Sequence, residues 1–341
     1  MASSSDTPTK VKGVIFSGMR PTGRLHLGNY LGALQNWVTL QQEYRSIYCA
    51  VDIHALTTIE SPAETAEIQP NIQDMLLDWL AAGIDPQRSV VFVQSHVPEV
   101  MSLHTLLSMV TPLGWLMRVP TFKEKVRQMD QSEESVNYGL VGYPVLQTAD
   151  IILYKADAVP VGQDQVPHLE LAREIVRRFN NRFGYTFPEP QAKLTEDPLI
   201  LGLDGQQKMS KSLDNHLELA ATPENTVRRI STAFTDPQRV RRGIPGRPEV
   251  CNVYSLHKIF TPPGDVAAIY DECTTAQRGC VDCKRHLADS INNYLEPFRE
   301  RRREYEARPG FVQDVLEDGA KKARVIARRT LEEVYQKMGL A

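Results

Sequence analysis

Short apolar, β-rich runs alternate with helical stretches through the first half of this chain, and that alternation restricts the fold more than any other feature. Val11-Lys12-Gly13-Val14-Ile15-Phe16 reads as a buried strand closed by Ser17-Gly18, and residues 29–42 follow with Tyr30, Leu31, Leu34, Trp37 and Val38 near helical spacing. The pattern returns twice: 47–51 is a second strand, 64–82 a long helical pattern ended by Gly83, and 90–93 a third strand. Strands joined through helices pair in parallel, so the expectation is an α/β fold with a doubly wound parallel sheet of Rossmann type, its ligands bound at the carboxyl ends of the strands. From about His216 the pattern turns helical, with a helix start at Thr222-Pro223-Glu224 and a closing helix over 317–338 ended by Gly339. The expected organisation is a tail over 1–12, an α/β domain over 13–212 and a second, all-helical domain over 213–341.

Composition narrows the class. Lys and Arg number 39 against 42 Asp and Glu, a net charge of -3, so any nucleic-acid partner needs a local basic surface. Arg228, Arg229, Arg239, Arg241, Arg242, Arg247, Lys284 and Arg285 offer one, whereas Arg299, Arg301, Arg302 and Arg303, interspersed with glutamates, read as a solvated helix. No apolar run approaches the ~20 residues of a bilayer crossing, and Met1 to Lys12 lacks an apolar signal stretch, so no membrane contact and a cytoplasmic location are expected. Five cysteines, four of them between Cys251 and Cys283, do not read as a secreted disulfide framework.

Two loops carry phosphate chemistry. Ser17-Gly18-Met19-Arg20-Pro21-Thr22-Gly23-Arg24-Leu25-His26-Leu27-Gly28-Asn29 places a strand end, a Gly/Pro loop and His-Leu-Gly-Asn at a helix start, where Gly28 leaves room for a purine. Lys208-Met209-Ser210-Lys211-Ser212 follows the turn-like Leu203-Asp204-Gly205 and supplies two cations to charge developing on a leaving pyrophosphate.

These two motifs resemble the paired signatures of class I aminoacyl-tRNA synthetases. Asp52-Ile53-His54-Ala55-Leu56-Thr57, Tyr143-Pro144-Val145-Leu146-Gln147-Thr148-Ala149-Asp150-Ile151 and Val159-Pro160-Val161-Gly162-Gln163-Asp164-Gln165 narrow the resemblance to the bacterial tryptophanyl-tRNA synthetases, from Val14 to Leu340. The resemblance implies attack of the tryptophan carboxylate on the α-phosphate of ATP, with Mg²⁺ on the phosphates, then acyl transfer to tRNA(Trp) by a homodimer. It implies that His26, Asn29, Lys123, Lys208 and Lys211 serve the phosphates. Arg20, Gly28, Asn29, Gly162, Asp164, Gln165, Lys208, Met209, Ser210 and Lys211 would bind ATP. Phe16, His54, Tyr143, Gln147 and Asp150 would bind tryptophan, with the Asp150 carboxylate, which only accepts hydrogen bonds, facing the indole N–H, which only donates. Lys123 belongs to Phe122-Lys123-Glu124-Lys125, equally readable as a solvated charge run, and Arg20 stands where the family often has glutamine. A tyrosine-specific relative and a catalytically idle RNA-binding paralogue are the rival readings. Tryptophan-dependent exchange separates all three.

The clustered cysteines are candidate metal ligands. Gaps of 21, six and two residues separate Cys251, Cys273, Cys280 and Cys283, and spacing alone favours structural zinc over an iron-sulfur cluster or unligated thiols. The resemblance reverses that order: a subset of the family carries Cys-x22-Cys-x6-Cys-x2-Cys around a four-iron four-sulfur cluster, differing here only in a first gap one residue shorter.

Overall fold

Val14–Met19 forms β1, and four further strands join it: β2 (Arg45–Ala50), β3 (Val90–Val93), β4 (Ala158–Val161) and β5 (Gln191–Leu194). This computed structural model describes residues 11–59, 61–119, 122–123, 136–194 and 200–341. All pairings are parallel, in the order β3-β2-β1-β4-β5. The winding direction reverses between β1 and β4, and the crevice outside their carboxyl ends is where a sheet of this kind binds ligands. β1 runs further than its β-branched residues suggest: Ser17 and Gly18 stay in the ladder opposite Tyr48 and Cys49.

Ser46 to Ala50 are buried without interruption, as expected of a parallel strand covered on both faces. Alternate residues feed two cores. Ile15, Tyr48, Ala50, Val91 and Val93 face Trp37, Met75 and Trp79, and the same cluster continues through Leu287, Ile291 and Leu295 of the helical half. Phe16, Ile47, Cys49 and Phe92 face the other way, towards Leu103, Val145, Ile152, Ile175 and Ala327.

The helical half contains Pro223–Ser231, Asn252–Phe260, Pro263–Thr274, Cys280–Glu306 and Phe311–Met338. Among the described residues no helix is long and apolar enough to cross a membrane. The run 299–303 departs from the solvated face read in the sequence, since Arg299 and Arg302 are 5% and 4% exposed. Arg302 lies between Asp74 and Asp78 of the Ile68–Ala82 helix and also donates to Glu306 at 2.9 Å. Opposite charges far away in sequence take the arginine out of water.

The closing helix returns to the sheet edge. Glu99 accepts from Arg324 at 3.1 Å and Arg328 at 3.0 Å, and Gly319 lies so close to β3 that a Cβ there would sit 1.8 Å from the Val91 carbonyl oxygen. Neither backbone can yield without breaking the packing of helix on strand. Gly319→Ala should therefore lower the stability by ~3 kcal/mol, the upper end of overpacking penalties. A urea midpoint unchanged from the parent protein would count against this close approach.

Candidate active site

The two phosphate loops meet at the carboxyl end of β1. Leu27 N–H donates to the Leu217 carbonyl and Leu219 N–H to the Leu25 carbonyl, both at 2.9 Å, so the strip after the second motif is stitched to the first. Gly28 faces both: a Cβ there would lie 3.1 Å from the His26 ring and 3.3 Å from Met209 Cβ. A larger residue would push the motifs apart. Lys211 Nζ donates to the Thr22 carbonyl at 2.9 Å, while Lys208 is exposed. The loop is braced from behind, where Asn215 accepts from Ser210 N–H at 2.7 Å and donates to Asp204 at 2.7 Å. Asn29 Oδ1 accepts from His26 N–H at 3.1 Å and fixes the turn. The chain then continues as the π-helix Tyr30–Leu34.

His26 is 7% exposed, and its Nδ1 is buried without a partner. Burial pushes its pKa down to about 4, helped by the cations of Lys211 and Lys208 and by His216. A neutral imidazole beside two lysines is suited to hydrogen bonding with phosphate, not to pairing with it as a third cation. Burial also lowers the pKa of Lys211.

The second constellation hangs on the Tyr138–Leu153 helix and the carboxyl ends of β2 and β3. Asp150 is 3% exposed; its Oδ2 accepts from His54 Nε2 at 2.9 Å, and Gln94 Nε2 donates to both its oxygens at 2.8 and 2.9 Å. Gln94 is held in turn, its Oε1 accepting from the Ile53 and His54 N–H groups at 3.1 and 3.3 Å. The Tyr143 ring meets the His54 ring edge-on at 4.3 Å between centroids, and burial raises its hydroxyl pKa. Gln147, one turn on, bonds His168 Nδ1 at 2.9 Å. His54 Nδ1 is buried without a partner.

Arg20 lies between the two constellations, donating to the Ala55 carbonyl at 3.3 Å and to Thr58 Oγ1. Gly162 caps the short turn Gln163–Gln165 at the end of β4, across the switch from Arg20, and the Asp164 side chain lies outside the described structure. Phe16 is buried and stacks on Tyr154 with centroids 5.6 Å apart, in the same core cluster as Val145, Leu146 and Ala149 of the helix that carries Asp150. Lys123 is exposed beyond Leu113–Leu116, and its neighbours 120, 121 and 124–135 fall outside the described residues. Sequence reasoning missed Gln94 and His168. The signal for Gln94 was available, as the first polar residue after the buried run Val90–Val93.

At the far end of the helical half, the thiols of Cys251, Cys273, Cys280 and Cys283 act on one another electrostatically, and burial raises the pKa of Cys251, Cys273 and Cys283, the last to about 12. Arg239 donates to Cys273 Sγ at 3.3 Å, and the His257 ring lies 3.4 Å from Cys283 Sγ. Gly246 leaves space beside them: a Cβ there would be 2.6 Å from Cys273 Sγ. Among the described residues no three His, Cys, Asp or Glu side chains are drawn together closely enough to hold a single metal ion, so this is not a ready zinc tetrahedron. Of the basic residues here, Arg229 is spent on the Asp214 and His216 carbonyls and Arg247 on Asp236, Arg242 and Arg285 each lie 3.6 Å from Asp282, and Arg228 and Arg241 are exposed.

The family of class I tRNA synthetases for tryptophan and tyrosine matches residues 9–296. A tryptophan–tRNA ligase of Deinococcus radiodurans is 45% identical over 328 residues, covering 95% of this chain and 98% of its own. One from Aquifex aeolicus is 40% identical over 395 residues, covering 96% and 99%. The crystal structure of the tryptophanyl-tRNA synthetase of Campylobacter jejuni, complexed with ADP and tryptophan, matches with a TM-score of 0.86 at 34% identity, over 96% of this chain and 100% of that one. Matched in sequence and in fold along nearly its whole length, the chain belongs to the class I tRNA synthetases, in the branch of the tryptophan–tRNA ligases.

Proposed function

We propose that this chain activates tryptophan with ATP and transfers the tryptophanyl group to tRNA(Trp). The observation that carries this reading is the contact of the two motifs, Gly28 fitting between the His26 ring and Met209 at the carboxyl end of β1. A tryptophan carboxylate oxygen attacks the α-phosphorus, the bond to the bridging oxygen breaks and pyrophosphate leaves. A ribose hydroxyl of tRNA then attacks the acyl carbon and AMP leaves. No protein nucleophile is required, so the protein's contribution is position and charge.

Each residue has chemistry suited to its part. Lys208 and Lys211, with Lys123, offer cations to the departing phosphates, and His26 and Asn29 offer neutral polar groups. Mg²⁺ carried in with the nucleotide supplies further neutralisation. Gly28, Met209 and Ser210 are assigned to the adenosine, Gly162, Asp164 and Gln165 to its ribose, and Arg20 to the junction of ATP and amino acid. Tyr143, Gln147 and His54 line the tryptophan pocket around Asp150. The Asp150 Oδ1 accepts one bond and can accept another, which suits an indole N–H.

The division into a catalytic part over 13–212 and an anticodon-binding part over 213–341, a homodimer and a cytosolic setting belong to the same reading. So does a four-iron four-sulfur cluster held by Cys251, Cys273, Cys280 and Cys283. Four thiols that act on one another electrostatically, an arginine donor to one sulfur and the space beside Gly246 support it, and its role is structural.

Exchange of pyrophosphate into ATP should depend on tryptophan and not on tyrosine, and Asp150→Asn should lower kcat/KM for tryptophan ~100-fold, the scale of a lost charged hydrogen bond. Exchange supported by tyrosine alone would refute the specificity. The His26 ring should titrate with a midpoint of about 4, read by NMR. Its neutral form therefore contributes stability that is complete above the unfolded value near 6.5 and is lost as pH falls from there towards 4. A midpoint at or above 6.5 would show that the ring is solvated. Protein purified without oxygen should contain iron and acid-labile sulfide at about four of each per chain; stoichiometric zinc without sulfide would rule the cluster out.

A further inference from the structure

We propose that Asp78 and Arg302 are a positioning pair for the ATP site, through which the helix that starts at Cys280 holds the backbone around His26. The proposal rests on the synthetase reading above and adds a second layer of residues behind the two motifs.

The Ile68–Ala82 helix presents Asn71, Asp74 and Asp78 to the first motif at intervals of three and four residues, one face of a helix. Asp78 Oδ2 accepts from Leu25 N–H at 2.9 Å, immediately before His26. Asp74 Oδ2 accepts from Arg24 Nε at 2.9 Å. Asn71 Oδ1 and the Lys211 ammonium each lie 3.2 Å from where a Gly23 Cβ would be, and Gly23 has a φ of +93° that favours glycine. Arg24 and Leu25 are thus held from this one face, with Asn71 against Gly23.

Asp78 is 0% exposed, and a carboxylate there needs compensation. Arg302 supplies it, reaching Asp78 with one nitrogen and Asp74 with another, and adding a bond to the Asp74 carbonyl at 3.0 Å. The guanidinium is itself 4% exposed, so it is committed to this role and not shared with solvent. Asp74 and Asp78 also act on the Lys211 ammonium. Without Arg302 their combined charge would compete with phosphate for the lysine of the second motif. The same arginine therefore bears on both loops. Arg302 and Cys280 belong to one helix, Cys280–Glu306, with Pro297 between them.

Each single removal strands a buried charge, so the informative variant removes both: Asp78→Leu with Arg302→Met. Its thermal midpoint should lie near that of the parent, since a buried ion pair replaced by apolar groups of similar size is tolerated. The KM for ATP in pyrophosphate exchange should still rise at least ~10-fold, because the Leu25 N–H has lost its acceptor and the loops their register. Tryptophan affinity, set by Asp150, Gln94 and His54, should stay within about twofold, well inside the span of a single hydrogen bond. A double variant of restored stability with the parent's KM for ATP overturns the proposal, as does an equal loss of tryptophan and ATP binding. Should the double variant be unstable, Arg302→Lys keeps a cation beside Asp78 without the fork that spans both acids, and an unchanged KM for ATP in that variant also overturns it. If the parent protein shows no tryptophan-dependent exchange at all, the functional reading fails instead.

Discussion

Charge removed from water has to be answered by opposite charge or by hydrogen bonds, and the Asp150 carboxylate shows how far this chain goes to do so. Its three bonds come from His54 after β2 and from Gln94 after β3, while Asp150 itself belongs to the Tyr138–Leu153 helix. One buried carboxylate therefore locks three elements whose sequence separation is large. Stripping a carboxylate of water costs several kcal/mol even after relaxation, so none of the donors can be lost without leaving the group stranded. The Asp150 cluster is consequently organised by the protein's own bonds.

The nucleotide end is built differently. There the motifs are close because a side chain is missing: Gly28 allows the His26 ring and Met209 to approach, and backbone bonds from Leu27 and Leu219 hold the strip in place. Lys208 is exposed and Lys211 bonds a single carbonyl. A rigid carboxylate pocket beside a looser cationic loop matches a reaction in which the amino acid must be selected before charge on a leaving group is stabilised.

Much of this was legible in the sequence because it is local. Strand and helix alternation survives in a linear reading, Gly83 and Gly339 end their helices with φ values of +115° and +73°, and the two phosphate motifs announce themselves by residue type. What escaped is long-range. Arg299 and Arg302 lie in a run that any local reading assigns to solvent, and only the fold brings Asp74 and Asp78, more than two hundred positions earlier, against Arg302. Gly319 lies within the closing helical pattern, where nothing local marks the Val91 carbonyl packed against it.

The carboxylate alone does not separate the two aromatic amino acids of this family. An indole N–H and a phenol O–H both donate, so on the proposed assignment Asp150 would reject phenylalanine, which offers no donor, far more strongly than tyrosine. The remaining selection has to be geometric. The indole donor projects from the flank of a wide ring and the phenol donor from the tip of a narrow one, so they reach a fixed acceptor from different depths and angles. Asp150 is a fixed acceptor: His54 and Gln94 hold both its oxygens, and the Tyr143 ring closes on His54 at 4.3 Å. A carboxylate free to swing would accommodate either donor, which makes the supporting bonds as much a part of specificity as the charge they hold.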